Sequence, residues 1–270
     1  MRFLCFFFLI FVVPVWTVSA EESPFLSDLS MHRPTYFSTS HFLNDEGNEQ
    51  GFWNDEVVFQ ISVKKPLYES LYFAYTQTIF WQLYDNGNSR SFRASNYNPE
   101  VFVQFHQLWG MEEFRLGLWE HQSNGERSRF DASGDPVNYS RTWNRIYSYG
   151  RWSLLPYLKA AAKLWYVTDR KENKYISFYD DNPDIRDYLG NGELFLTFKH
   201  GLAGAELMMR QGYLPETTTF SLISSMAISE IFGINDSGTD LYFQAFSGYG
   251  DNLSDYNRKI QRVAIGFKFR

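Results

Sequence analysis

The sequence predicts an all-β protein, a transmembrane antiparallel β-barrel, and three observations carry that expectation. Aromatic residues make up 19% of the 270-residue chain, well above an ordinary soluble domain. Mean hydropathy is nevertheless −0.37, and no segment past the N-terminal leader approaches the run of about 18 apolar residues that a membrane helix needs. A sheet that alternates between lipid and a polar interior averages to such a value. The third observation is the alternation itself: Phe59, Ile61 and Val63 take turns with Gln60, Ser62 and Lys64, and Val101, Val103 and Phe105 with Phe102, Gln104 and His106, the period of a strand with two different faces.

Taken in chain order, Met1 and Arg2 precede an apolar stretch from Phe3 to Trp16, and Val18-Ser19-Ala20 leads to Glu21-Glu22. A basic start, a short apolar core and a small-residue site predict a signal peptide over residues 1–20, cleaved after Ala20. Residues 21–270 then form one barrel domain, with no linker or internal repeat to divide them. Cys5, the only cysteine, falls within the leader, so the mature chain is expected to hold no disulfide. With Arg2 removed, 24 basic residues face 31 acidic ones, a formal charge of −7. That balance argues against a nucleic-acid-binding protein, which needs a clustered basic face.

Besides the runs around Ile61 and Val103, candidate strands follow at Tyr72 to Leu83, Phe114 to Ser123, Thr142 to Tyr149, Tyr157 to Val167, Glu193 to Phe198, Ala205 to Met209, Phe220 to Ile228, Leu241 to Phe246 and Val263 to Phe269. Clusters such as Asp85-Asn86-Gly87-Asn88 and Asp180-Asp181-Asn182-Pro183-Asp184 punctuate them with residues that suit turns. The second cluster is read as a turn cap in preference to a cation site. The chain ends Phe267-Lys268-Phe269-Arg270, which puts a charge after the terminal aromatic and leaves Phe269 to act as the insertion signal.

The chemistry concentrates in His121-Gln122-Ser123-Asn124-Gly125 and in Ser140-Arg141-Thr142-Trp143-Asn144-Arg145. Side chains at i and i+2 of a strand share a face, so His121 and Ser123 stand side by side while Asn144 arrives from a neighbouring strand. A serine hydroxyl needs a base within hydrogen-bond reach, and histidine is the usual one. Ser123 is assigned as nucleophile, His121 as base and Asn144 as the group that fixes the imidazole tautomer. Phe114, Leu116 and Leu118 define an apolar face, and strict pleating from them turns His121 and Ser123 to the interior. A site facing lipid therefore requires a β-bulge near Trp119 or Glu120.

Together with Asp181-Asn182-Pro183-Asp184-Ile185, Tyr75-Thr76-Gln77, Asn96-Tyr97-Asn98-Pro99 and Ser247-Gly248-Tyr249-Gly250, in that family's order, these motifs resemble the outer-membrane phospholipase A family over nearly the whole mature chain. The resemblance implies a twelve-stranded barrel in the bacterial outer membrane that hydrolyses acyl esters of phospholipids and lysophospholipids, depends on calcium and is activated as a homodimer. Position by position it implies the Gly125 amide as oxyanion donor and, as calcium ligands, the Glu126 carbonyl, the Ser140 hydroxyl and Ser89 from a partner subunit. It further implies Tyr97 near substrate and Gln77 in the dimer interface, where its amide meets its own copy. Glu126 stands where the family commonly has arginine, and the segment 127–139 is longer than expected, so Asp131 or Asp135 is a further candidate for the metal.

An amide orients the imidazole without the negative charge of an aspartate, and a divalent cation near the oxyanion is a sensible source of the missing stabilisation. No nucleotide, zinc or EF-hand motif is present. The alternatives are a non-catalytic channel barrel whose lumen holds the His and Ser, and a soluble periplasmic β-sandwich that binds carbohydrate. His32, His41, His106 and His200 lack such company and are expected to be solvated or interfacial.

Overall fold

A computed structural model describes residues 28–44, 54–87, 89–126, 129–130, 133–168, 181–233, 235 and 238–270; the predicted signal peptide, Asp131 and Asp180 lie outside them. Twelve long strands run in chain order: β1 (Thr35–Phe42), β2 (Asp55–Tyr68), β3 (Leu71–Trp81), β4 (Phe92–Leu108), β5 (Met111–Ser123), β6 (Thr142–Leu155), β7 (Leu158–Val167), β8 (Gly192–His200), β9 (Ala203–Gln211), β10 (Thr218–Ala227), β11 (Thr239–Gly248) and β12 (Ile260–Phe269). Each pairs antiparallel with its chain neighbours, and β12 returns to β1 with Phe269 opposite Thr35. Closure removes the free edges that an open sheet exposes. No helix among the described residues is long and apolar enough to cross a membrane. A closed antiparallel barrel pairs its backbone groups strand to strand, which is what lets strands cross a bilayer.

The eleven strands expected from alternation are all present. β1 was not among them: its inward positions are Tyr36, Ser38, Ser40 and Phe42 and its outward ones Thr35, Phe37, Thr39 and His41, a pattern of small hydroxyl residues with little hydropathy contrast. Outward positions elsewhere carry an apolar coat that includes Ile61, Phe73, Leu164, Leu194, Phe243 and Ile265, all exposed, as lipid contact requires.

One end of the barrel is closed by tight turns and the other carries long loops. At Trp109-Gly110 both φ angles are positive (51° and 76°), the mirror-image turn whose twist matches a two-residue hairpin. At the opposite end, Asp85 to Gly87 of the first turn cluster form a turn as expected, with the Gly87 amide donating to the Asp85 carboxylate at 3.0 Å, while Asn88 lies outside the described residues. The short helix α1 (Ile185–Leu189) packs with Leu253 and Tyr256 onto Trp143 and Trp165, an apolar cap over the loop-side mouth. A second short helix, α2 (Ile228–Phe232), follows β10 at the turn end.

The lumen at mid-height is filled by charge. Glu120, fully buried, meets Arg33 and Arg145 at 3.0 Å and Lys163 at 2.9 Å; Glu100, also buried, meets Arg33 at 2.8 Å and His32 at 2.7 Å. Carboxylates this deep are tolerable only when several cations surround them. The expectation of a solvated or interfacial His32 is thereby corrected. Ser30–Met31 pairs with β2 opposite Lys64 and Val63, and the chain between it and β1 carries His32 into the lumen, where it stacks on Phe102. A cavity of about 850 Å³ lined by Arg33, Glu100, Arg115, Tyr157 and Lys199 lies on the turn side of this layer.

Candidate active site

β5 positions the site through one irregularity. Its register with β4 and with β6 shifts between Gly117 and Glu120: Phe102 pairs Gly117 while Val101 pairs Trp119, leaving Leu118 as the extra residue. Leu118 and Trp119 are both exposed, whereas Gly117 and Glu120 on either side of them are buried. The bulge resets the pleat, so Glu120 and Gln122 point into the lumen and His121 and Ser123 point outward. The expected bulge near Trp119 is thus present, at Leu118 and Trp119.

Register then assembles the outward face. His121 pairs Asn144 and Ser123 pairs Thr142 on β6, while Tyr97 of β4 lies opposite Ser123 on the other side. His121 Nδ1 is 2.9 Å from Asn144 Oδ1, and the Trp119 indole N–H donates to the same oxygen at 3.2 Å. An indole nitrogen can only donate. The atom facing it must therefore be the amide oxygen, and His121 Nδ1 must carry a proton to reach that oxygen. In the neutral ring this leaves Nε2 unprotonated, the tautomer a base requires. Trp119 also stacks on the imidazole, with centroids 5.9 Å apart and planes 15° apart, and Asn98 Nδ2 donates to the His121 carbonyl at 2.6 Å.

Gly125 follows at φ +65°, a conformation L side chains rarely adopt, and a Cβ there would meet Tyr97 Cε2 at 2.8 Å. The Tyr97 ring thus lies against the backbone just past Ser123. The Gly125 N–H meets no acceptor among the described residues, an open donor two residues past Ser123. Asn124 holds this turn from within: its side-chain oxygen accepts from Glu126 N at 3.2 Å and Arg141 N at 3.0 Å. Its amide donates to the Tyr139 carbonyl at 2.9 Å and to Ser254 Oγ at 3.1 Å.

The metal-ligand candidates fall at the same loop base. Glu126 and Ser140 sit on the two segments that Asn124 joins, and the Ser140 hydroxyl has no partner among the described residues. No group of three His, Cys, Asp or Glu suited to a metal occurs among the described residues. The donors on offer are a carbonyl and a hydroxyl, a set that suits a hard cation such as calcium and not zinc. Ser89 is exposed on the loop after β3 at φ +58°, and Asp135 is exposed between the two-residue strands Arg129–Phe130 and Pro136–Val137.

Two further expectations meet the structure here. Gln77 is outward, yet its amide is already engaged: Oε1 accepts from the Tyr75 hydroxyl at 3.1 Å and Nε2 donates to Ser95 at 3.0 Å. A copy across a two-fold axis is thus not needed to satisfy it. The Asp181 to Asp184 segment is a structural turn: both polar atoms of the Asn182 amide bond the Thr142 backbone, at 3.0 and 2.8 Å, which pins β6 beside the site. Asp184 accepts from the Tyr256 hydroxyl, and burial, followed by that carboxylate, pushes the Tyr256 pKa up so that the hydroxyl remains a donor. Trp119, Asn98 and Asn124 had no assigned role in the sequence. Asn124 and Asn98 carried a signal, their places inside quoted motifs, and Trp119 only its nearness to the required bulge.

A closed twelve-strand barrel with an apolar coat and a Ser-His-Asn face turned to lipid defines a class, the outer-membrane esterases of bacteria. The model of the phospholipase A1 family matches residues 15–269. Phospholipase A1 from Klebsiella pneumoniae is 30% identical over 91% of this chain and 83% of its own length. Among solved structures, outer membrane phospholipase A from Escherichia coli, in the form of an asparagine-to-alanine active-site mutant, superposes with a TM-score of 0.74 at 26% identity, over 93% of this chain and 95% of that one. The Salmonella typhi outer membrane phospholipase, a dimer with bound calcium, gives 0.72 at 26%, over 93% and 94%. The chain belongs to the phospholipase A1 family, and it is a phospholipase of the bacterial outer membrane.

Proposed function

We propose that this enzyme cleaves acyl esters of phospholipids and lysophospholipids through a covalent acyl-Ser123, with His121 as base and Asn144 as its orienting partner. The observation that carries this reading is the bond from His121 Nδ1 to an Asn144 oxygen whose identity Trp119 fixes, with Ser123 two residues away on the same face. Ser123 Oγ attacks the acyl carbonyl carbon as its proton passes to His121 Nε2, and the oxyanion is met by Gly125 N–H. The imidazolium then gives that proton to the departing glycerol oxygen. Water repeats the sequence on the acyl-enzyme, freeing the fatty acid and restoring Ser123. Tyr97, packed against Gly125, walls the site on the β4 side and contacts the substrate.

The Glu126 carbonyl, the Ser140 hydroxyl and Ser89 of a second copy are the residues that would hold calcium, Asp135 adding a carboxylate. Such an ion would supply positive charge to stabilise the oxyanion, offsetting the negative charge beside the imidazolium that an asparagine lacks. A ligand from a second copy makes dimerisation the regulator, with Gln77 at the interface, its remaining hydrogen-bonding capacity directed to the partner. The leader over residues 1–20, cleaved after Ala20, delivers the chain to the envelope, and the mass of the mature protein tests that point directly.

The deciding experiment is phospholipid hydrolysis by the detergent-refolded chain with calcium or chelator, beside Ser123→Ala. The reading expects calcium-dependent fatty-acid release that disappears in the variant. Release undiminished in Ser123→Ala removes the nucleophile, and full activity in chelator removes the calcium role. The passive-channel alternative is disfavoured by the layer of Glu100, Glu120, Arg145 and Lys163 that occupies the lumen.

A further inference from the structure

We infer that Asn124 is a positioning residue of the reaction, the clamp that aims the Gly125 N–H at the oxyanion, with Ser254 as its anchor. The inference rests on the acyl-serine reading above and deepens it.

Asn124 comes straight after the nucleophile but on the opposite face of the chain, where it is 3% exposed. A buried carboxamide has one acceptor atom and two donor hydrogens to satisfy. Here the oxygen takes two backbone N–H groups and the nitrogen gives to a carbonyl and a hydroxyl, all four contacts between 2.9 and 3.2 Å. Its backbone N–H also donates to the Arg141 carbonyl at 3.0 Å.

The contact with Glu126 N closes an Asx turn around Gly125. In such a turn the middle amide has no internal partner, and the Gly125 N–H has none among the described residues. The direction of that N–H is the direction of the peptide plane between Asn124 and Gly125. Asn124 holds the plane from three sides: the residue entering β6 through Arg141, the long loop through Tyr139, and the 249–259 loop through Ser254. The last is itself tied down, since Asn252 accepts from Ser254 N at 3.1 Å and Asp255 bonds Arg93 of β4 at 2.8 Å. A glycine at positive φ has a wide backbone range of its own, so the rigidity this donor needs must be imposed by its neighbours.

The test uses the full refolded enzyme at saturating calcium, assayed on a monomeric short-chain phospholipid. Asn124→Ala removes all four side-chain bonds. Asn124→Asp keeps the acceptor but sets a carboxylate oxygen against the Tyr139 carbonyl and loses both donors. Ser254→Ala removes the anchor alone. Misaiming an oxyanion donor is a transition-state defect, so kcat is expected to fall about 30-fold in Asn124→Ala and Asn124→Asp and about 3-fold in Ser254→Ala, with KM within about 2-fold.

An alkyl boronic acid becomes tetrahedral when Ser123 Oγ adds to boron, and it then presents an oxygen to Gly125 N–H. Its affinity is expected to weaken by the same factor as kcat/KM, while a non-hydrolysable ether lipid binds as before. Heat-modifiable gel mobility reports the folded barrel, and if the Asn124 variants fail to fold, Ser254→Ala carries the test alone. Unchanged kcat in the folded variants, or equal loss of affinity for boronate and ether lipid, overturns the role. Should Ser123→Ala remain active, the parent reading fails; should Ser123→Ala be dead and the Asn124 variants fully active, only the clamp fails.

Discussion

The Trp119 indole nitrogen lies 3.2 Å from Asn144 Oδ1, on the same oxygen that receives His121 Nδ1. That contact orients a side chain which is otherwise ambiguous by 180°, and with it the tautomer of the imidazole. Trp119 has this position because the bulge at Leu118 turns it outward together with His121.

Replacing Trp119 by Phe keeps much of the stacking surface and removes the donor. A neutral hydrogen bond is worth roughly 0.5–1.5 kcal/mol net, so kcat/KM is expected to fall by about 3- to 10-fold. Steady-state kinetics at saturating calcium check it, and an unchanged value would mean that Asn144 is held by other contacts.

Deleting Leu118 removes the residue that resets the pleat. The strand then pairs without its bulge, and either the apolar face before it or the His121 and Ser123 pair after it must reverse. Esterase activity is expected to vanish even in the fraction that inserts as a barrel. A folded deletion variant retaining near-normal turnover would show that the bulge does not set the facing of the site.

Gly125→Ala meets two obstacles, a φ of +65° and a Cβ placed 2.8 Å from Tyr97. We expect about a 100-fold loss of kcat, the order of losing one oxyanion donor. Adding Tyr97→Ala relieves the clash but not the backbone strain. The double variant is therefore expected to stay impaired, and full recovery in its kinetics would assign the defect to Tyr97 alone.

Glu120→Ala strips the shared carboxylate from Arg33, Arg145 and Lys163 and leaves buried like charges facing one another. Removing one side of a buried ion network costs about 3–5 kcal/mol. Urea unfolding of the refolded barrel is expected to show that loss. A midpoint within error of wild type would mean that water enters the lumen and solvates the cations.

Local chemistry made most of the architecture legible. Period-2 alternation located every long strand but β1, whose Ser38 and Ser40 contrast too little with Thr35 and Thr39 for hydropathy to separate the faces. The catalytic candidates were legible for a related reason: His121 and Ser123 are fixed by covalent spacing, and the mismatch between Leu118 and Ser123 already demanded a bulge. Gln77 differed because its bond to Ser95 depends on cross-strand register, which no alternation pattern specifies.

The sequence by itself determined what short-range geometry controls: which residues alternate, where turns form, and that His121 and Ser123 share one strand face. Tertiary structure alone decided what closure brings together. Arg33 reaches Glu120 across 87 positions, Asn124 reaches Ser254 across 130, and the Trp119 indole selects the Asn144 oxygen. These contacts depend on the register of strands around a closed ring, and register is set collectively by every pair in the barrel.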